Sequence, residues 1–135
     1  MTGVMTRVLF VDDEPHILSG LQRMLRPLRH EWAMTFAASG PAALEALAQA
    51  EAGGVGFDVI VTDMRMPGMS GAQLLNETRD RYPQITCIVL SGQSDREHLR
   101  QLADTPHEYL SKPCGAEALR ETVRRAAHAA AEGRL

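Results

Sequence analysis

Three short apolar runs constrain this chain more than any other feature: Val8-Leu9-Phe10-Val11, Val59-Ile60-Val61 and Cys87-Ile88-Val89-Leu90. Each is rich in β-branched residues and has no polar interruption. A strand open to water on one side alternates apolar with polar residues, so runs of this kind mark strands covered on both faces. Trp32-Ala33-Met34-Thr35-Phe36 and His107-Glu108-Tyr109-Leu110 are weaker candidates. Their polar positions suit half-buried strands at the edges of a sheet.

The cover has to come from the segments between the strands. From Pro15, apolar residues fall at Ile17, Leu18, Leu21, Leu25 and Leu28, a one-face helical stripe. Pro15 suits a first helical turn, and Asp12, Asp13 and Glu14 stand at the positive end of that helix. A second helix is predicted over Ala42 to Glu51, stopping at Gly53-Gly54, and a third over Ala72 to Tyr82, closed by Pro83. A fourth, around Asp95 to Ala103, is short and has little apolar face. The fifth, Ala116 to Ala131, lines up Leu119, Val123, Ala126, Ala127 and Ala130. Five strand–helix pairs in alternation predict an α/β fold: a doubly wound, five-stranded parallel sheet with helices on both faces and right-handed crossovers. In such sheets the working groups gather beyond the carboxyl ends of the strands.

Composition narrows the function classes. A chain of 135 residues suits one domain. Fourteen Lys and Arg against seventeen Asp and Glu give a net charge of −3, which argues against a surface for nucleic acid or anionic membrane. Two cysteines, Cys87 and Cys114, make neither a disulfide framework nor a four-ligand zinc site. No apolar run approaches the ~20 residues of a membrane span, and Met1 to Thr6 does not read as a signal peptide. The expectation is a cytoplasmic protein.

The strand ends carry Asp12-Asp13-Glu14, Asp63, Ser91 and Lys112-Pro113. Taken singly, each has an ordinary structural use as a helix cap, a turn former or a surface exit. A parallel sheet, however, brings these loops together although Asp13 and Asp63 are 50 residues apart. Crowded carboxylates repel unless a cation stands between them. An all-oxygen set without Cys or His selects a hard ion, and Mg²⁺ fits best. A carboxylate beside Mg²⁺, with a lysine and a serine at hand, is equipped to take a phosphoryl group as an aspartyl phosphate.

At this point the residues match a known pattern. VLFVDDEP (8–15), VTDMRMPGMSG (61–71), VLSG (89–92) and YLSKP (109–113) resemble the receiver domain of two-component response regulators, over Arg7 to Ala131. The resemblance implies a flavodoxin-like sheet of order 2-1-3-4-5 with five helices, and a single receiver domain over 1–135 (core about 7–131) with no output domain in this chain. It implies that Asp63 is the phospho-acceptor, Asp13 a direct Mg²⁺ ligand, Asp12 its acidic neighbour, and Arg65 the donor of a backbone carbonyl to the metal. Ser91 then bonds the phosphoryl group, Lys112 is its cationic contact, Tyr109 is the aromatic switch residue, and Pro113 follows a cis bond. The implied partners are a sensor histidine kinase or phosphotransfer protein, and an output domain, another protein or a second copy at the surface of the fourth helix, fifth strand and fifth helix. The implied activity is that of a switch assisting only its own phosphorylation and dephosphorylation. MRMPGM, LSGQ and HEYLSKPC more faintly resemble receivers joined to HD-type output domains. Ser70 departs from the family pattern, which commonly has Asp there.

Three other readings compete. A haloacid-dehalogenase-like phosphatase shares the Asp, Mg²⁺, Ser and Lys, but needs Asp-x-Asp after its first strand, and position 14 is Glu. A flavodoxin needs a phosphate loop where this chain has carboxylates. A non-phosphorylated docking module has no use for the full set of Asp13, Asp63, Ser91 and Lys112. Cys87 and Cys114 are read as structural thiols, and the five histidines as lacking metal-ligand spacing. Met64, Met66 and Met69 are read as packing for the loop after Asp63, and Arg120, Arg124 and Arg125 as a solvated helix face.

Overall fold

A computed structural model of the chain describes residues 5–92, 100, 108–112 and 114–133. In chain order the elements are β1 (Thr6–Val11), α1 (Pro15–Leu25), β2 (Trp32–Ala37), α2 (Gly40–Ala52), β3 (Val59–Asp63), α3 (Gly71–Arg81), β4 (Thr86–Ser91), β5 (Glu108–Ser111) and α4 (Ala116–Gly133). The five strands form one sheet of order β2-β1-β3-β4-β5, and each neighbouring pair is parallel. The helix expected over 95–103 lies, apart from Arg100, outside the described residues, as do His107 and Pro113.

The uninterrupted apolar runs have a direct structural counterpart. Alternate residues of a strand point to opposite faces, and both faces of the central strands are dry. Leu9, Val11, Ile60, Cys87 and Val89 face α2 and α3, where they meet Ala43, Leu47, Leu74 and Leu75. Val8, Phe10, Val59, Val61, Ile88 and Leu90 face the other way, against Leu25, Leu28, Leu119, Val123 and Ala126. Phe10 stacks on Phe36 with ring centroids 5.2 Å apart. The outer strands are the two weaker candidates. Residues 33–36 of β2 are half-buried, and β5 alternates between half-buried and exposed positions.

One helix ends earlier than its apolar stripe. The stripe reaches Leu28, yet α1 stops at Leu25. Pro27 has no N–H for the Arg23 carbonyl, and its ring crowds that carbonyl. The Arg26 N–H takes the Arg23 carbonyl instead. Arg26–Leu28 then tightens into a single 3₁₀ turn that still buries Leu28.

Parallel strands dry on both faces need firm helices at their backs. Ser39 caps α2 by accepting the Ala42 N–H at 3.1 Å. Ser70 and Gln73 make a reciprocal capping box at the start of α3. The C-terminal helix α4 is pinned by Leu119 and Val123 in the core, while Arg120 and Arg124 both reach Glu31 ahead of β2. These two ion pairs are largely exposed and add little, so the anchoring of α4 is apolar. Replacing the fully buried Leu119 by Ala is expected to lower the unfolding free energy by about 3 kcal/mol. Ile17→Ala, at a position 45% exposed on α1, should change it by less than about 0.5 kcal/mol. Denaturant titration of the two variants checks the contrast.

Candidate functional site

The site is built where the strands run out. After β1, the Asp12 N–H donates to the Ala37 carbonyl at 3.1 Å, one residue beyond the register of β1 with β2. After β3, the Met64 N–H donates to the Leu90 carbonyl at 3.2 Å, and after β5 the Lys112 N–H donates to the Ser91 carbonyl at 2.9 Å. Pairing thus continues past the strands, tying the end of β1 to β2 and the ends of β3 and β5 to β4, while the β1–β3 register sets Val11 opposite Thr62. Asp12, Asp13, Asp63, Ser91 and Lys112 are delivered to one place by backbone hydrogen bonds that owe nothing to their side chains.

Three carboxylates meet there. One ligand atom each from Asp12, Asp13 and Asp63 lie within 4.8 Å of one another, the single such cluster among the described residues. Asp12 is 1% exposed and Asp63 6% exposed. The Lys112 ammonium makes an ion pair with Asp63 Oδ1. Three carboxylates, two of them buried, against one ammonium leave an excess of negative charge. Burial pushes the Asp12 carboxyl above its ordinary value, and the negative charges of Asp63 and Asp13 push the same way. The Glu14 N–H and Lys112 oppose this shift without reversing it.

The turn-forming use of Asp12 consumes only one of its oxygens. Oδ1 accepts the Glu14 N–H at 2.9 Å, shaping the entry to α1. Oδ2 is buried with no hydrogen-bond partner. A buried carboxylate oxygen left unsatisfied is costly, and it belongs to the same cluster as the surplus charge. An orphaned oxygen, an all-oxygen donor set and an excess of negative charge fit a hard divalent cation such as Mg²⁺. Ser91 Oγ, at the end of β4, is likewise buried without a partner. Arg65 is exposed two residues beyond Asp63, and Tyr109 is 46% exposed on β5. The Ser111 hydroxyl contacts the Tyr109 hydroxyl at 3.3 Å on the outer side of that strand. Tyr109 therefore stands apart from the carboxylates.

Several supporting residues do not announce themselves in the sequence. Thr62 Oγ1, fully buried, donates to the Asp63 carbonyl at 3.0 Å. Gly71 lets α3 start hard against the end of β3, since a Cβ there would sit 2.9 Å from Met64 Cα and 3.0 Å from the Asp63 carbonyl carbon. The Gly71 N–H donates to the Met64 carbonyl at 2.8 Å, closing the loop 64–70. Gly68 takes φ +83°, which favours glycine, at the tip of that loop. A Thr directly before the strand-end Asp, and two Gly three residues apart after it, were the available signals. Met64 and Met66 are buried and Met69 packs beside them, so the three methionines seat the loop in the core. Burial raises the Cys87 thiol to about 12, which leaves it inert.

The sequence model of the response regulator receiver domain matches residues 8–124. The chain belongs to that family, the phosphorylation-dependent signalling switches of two-component systems. It is 33% identical over 131 residues to the hydrogenase transcriptional regulatory protein HoxA of Cupriavidus necator, a match covering 96% of this chain and 26% of that protein. It is 37% identical over 118 residues to the sensor kinase CckA of Brucella abortus, covering 87% of this chain and 12% of that one. The chain thus spans a minor part of either relative. Among solved structures, the signal receiver domain of an HD domain-containing protein from Pseudomonas fluorescens superposes with a TM-score of 0.85 at 28% identity, covering 96% of this chain and 99% of that one. No helix among the described residues is long and apolar enough to cross a membrane.

The electrostatics of Asp12 carry a pH signature. Its raised folded-state value means that the folded, metal-free chain holds its proton more tightly than the unfolded chain. Stability is therefore lost as pH rises from the unfolded value near 3.8 through the higher folded value. Asp12→Asn keeps an oxygen for the Glu14 N–H and removes the charge. The metal-free variant is expected to melt above the unaltered chain at neutral pH, with the difference vanishing towards pH 3. Thermal melts across that range in chelator check it.

Proposed function

We propose that Asp63 accepts the phosphoryl group, from the phosphohistidine of a sensor kinase or phosphotransfer protein, and that the resulting aspartyl phosphate is read at the surface of β5, α4 and the segment before β5. The observation that carries this reading is the ion pair between Lys112 and Asp63 inside a recess of surplus negative charge. A lysine drawn to one oxygen of Asp63 neutralises part of its charge and leaves the other oxygen as nucleophile. Transfer forms an O–P bond to Asp63 and breaks the N–P bond of the donor imidazole, which keeps the electron pair. Lys112 then has a phosphoryl oxygen to contact, and the unpartnered Ser91 hydroxyl has one to donate to.

Asp12, Asp13, Asp63 and the Arg65 carbonyl would hold Mg²⁺. When bound, the ion neutralises the phosphoryl oxygens and aligns them for in-line attack. Arg65 itself, long, cationic and exposed beyond Asp63, screens the phosphoryl group but has no basic nitrogen to activate water. The chain's own Asp63 is the acceptor, so the chain acts as a switch that assists only its own phosphorylation and dephosphorylation.

The response starts at Ser91. Drawing its hydroxyl towards a phosphoryl group on Asp63 opens space beside β4, into which Tyr109 of the neighbouring strand can turn from its exposed position. The three relatives named above are, by name, a transcriptional regulator, a sensor kinase and an HD-domain protein. What they share with this chain is the receiver, and the outputs differ. Incubation with acetyl phosphate and Mg²⁺ followed by intact mass measurement tests the proposal. One phosphoryl group is expected on the unaltered chain and none on Asp63→Asn, with the fold of the variant intact by circular dichroism. Undiminished labelling of Asp63→Asn would remove Asp63 from its role.

A further inference from the structure

The loop between Met64 and Ser70 carries the Arg65 carbonyl that the reading above gives to the metal. At its far end Gly71 fastens it to β3. Its other support comes from a distant part of the chain. Gly40, the buried first residue of α2, lies directly under Met69. A Cβ at Gly40 would stand 2.7 Å from Met69 Sδ, 2.9 Å from its Cγ and 2.8 Å from its Cβ. The first two atoms can swing away with a change of rotamer. The third is bonded to the backbone, so clearing it means moving the Met69 main chain.

The helix side of this contact is stiff. The Ser39 hydroxyl and carbonyl accept the Ala42 and Ala43 N–H groups at 3.1 and 3.0 Å. Pro41 fixes its own φ in the first turn. The loop side is tied at three points. The Met69 N–H donates to the Pro67 carbonyl at 3.0 Å across Gly68, Met66 is buried, and Gly71 is locked to Met64. A displacement at Met69 therefore passes to residues 65–68 instead of being absorbed.

We propose that Gly40 is a positioning residue for the metal site: its bare Cα is the seat for Met69, and that seat fixes where the Arg65 carbonyl stands. The proposal rests on the assignment of that carbonyl to Mg²⁺, and the experiment separates the two. Backbone amide NMR and Mg²⁺ titration by calorimetry are run on the unaltered chain, Gly40→Ala, Gly40→Ala/Met69→Gly, and Gly20→Ala. In the last, on α1, the added Cβ meets nothing within 4 Å.

Gly40→Ala is expected to melt cooperatively and to bind Mg²⁺ at least roughly tenfold more weakly, the loss typical when a group supporting a metal ligand is disturbed. The double variant lacks every Met69 atom that the new methyl meets and should regain affinity relative to Gly40→Ala. Gly20→Ala should bind as the unaltered chain does. Without metal, the amide resonances of residues 65–71 should move in Gly40→Ala and return in the double variant. Unchanged affinity in Gly40→Ala, or no recovery in the double variant, overturns the proposal. If the unaltered chain does not bind Mg²⁺, the metal assignment fails, and the metal-free amide shifts alone decide: movement and return uphold the Gly40 seat, and stationary resonances overturn it. If Gly40→Ala alone does not fold, the double variant decides: it should melt cooperatively and bind Mg²⁺, and failure to fold or to bind Mg²⁺ overturns the proposal.

Discussion

Mutual repulsion among three carboxylates is the constraint around which the chain is organised. Asp12 and Asp63 are nearly dry, Asp13 lies beside them, and Lys112 answers only part of the charge. Left to themselves, these side chains would turn outward to water. They stay together because the backbone beneath them does not yield. Each of the central strands is covered on both faces, and hydrogen bonds continue the sheet beyond the strand ends at Asp12, Met64 and Lys112. Apolar burial of this extent supplies the stability that the charged recess consumes. The site is thus in its least comfortable state when empty of cation.

That rigidity falls off towards one edge of the sheet. β5 is the outer strand on one side and the least buried of the five. Tyr109 is 46% exposed on it, and the Ser111 hydroxyl donates to the Tyr109 hydroxyl at the surface. The Glu108–Arg125 ion pair between β5 and α4 is exposed as well.

Much of this was legible from residue order alone. The dry strands β1, β3 and β4 followed from unbroken β-branched runs, and the convergence of Asp12, Asp13, Asp63, Ser91 and Lys112 followed from parallel topology. The apolar stripe of α1 runs on to Leu28 and does not mark the end of the helix, which the missing N–H of Pro27 decides. Ser70 was noticed as a departure from the family pattern, yet Ser70 and Gln73 spell a capping box, and in the fold that is its use. Gly40 and Met69 are 29 positions apart, and Gly71 meets the Asp63 main chain through space. Contacts defined by the absence of a side chain leave no pattern of period or charge. They appear only once the backbone is placed.

The central claim is that folding gathers charge that a divalent cation relieves. The direct test is thermal melting at neutral pH in chelator and at increasing Mg²⁺. Only the folded chain brings the three carboxylates together, so the melting temperature should climb with Mg²⁺ concentration, and the climb should be lost in Asp13→Ala. A melting temperature indifferent to Mg²⁺, or one that rises equally in Asp13→Ala, would contradict the account.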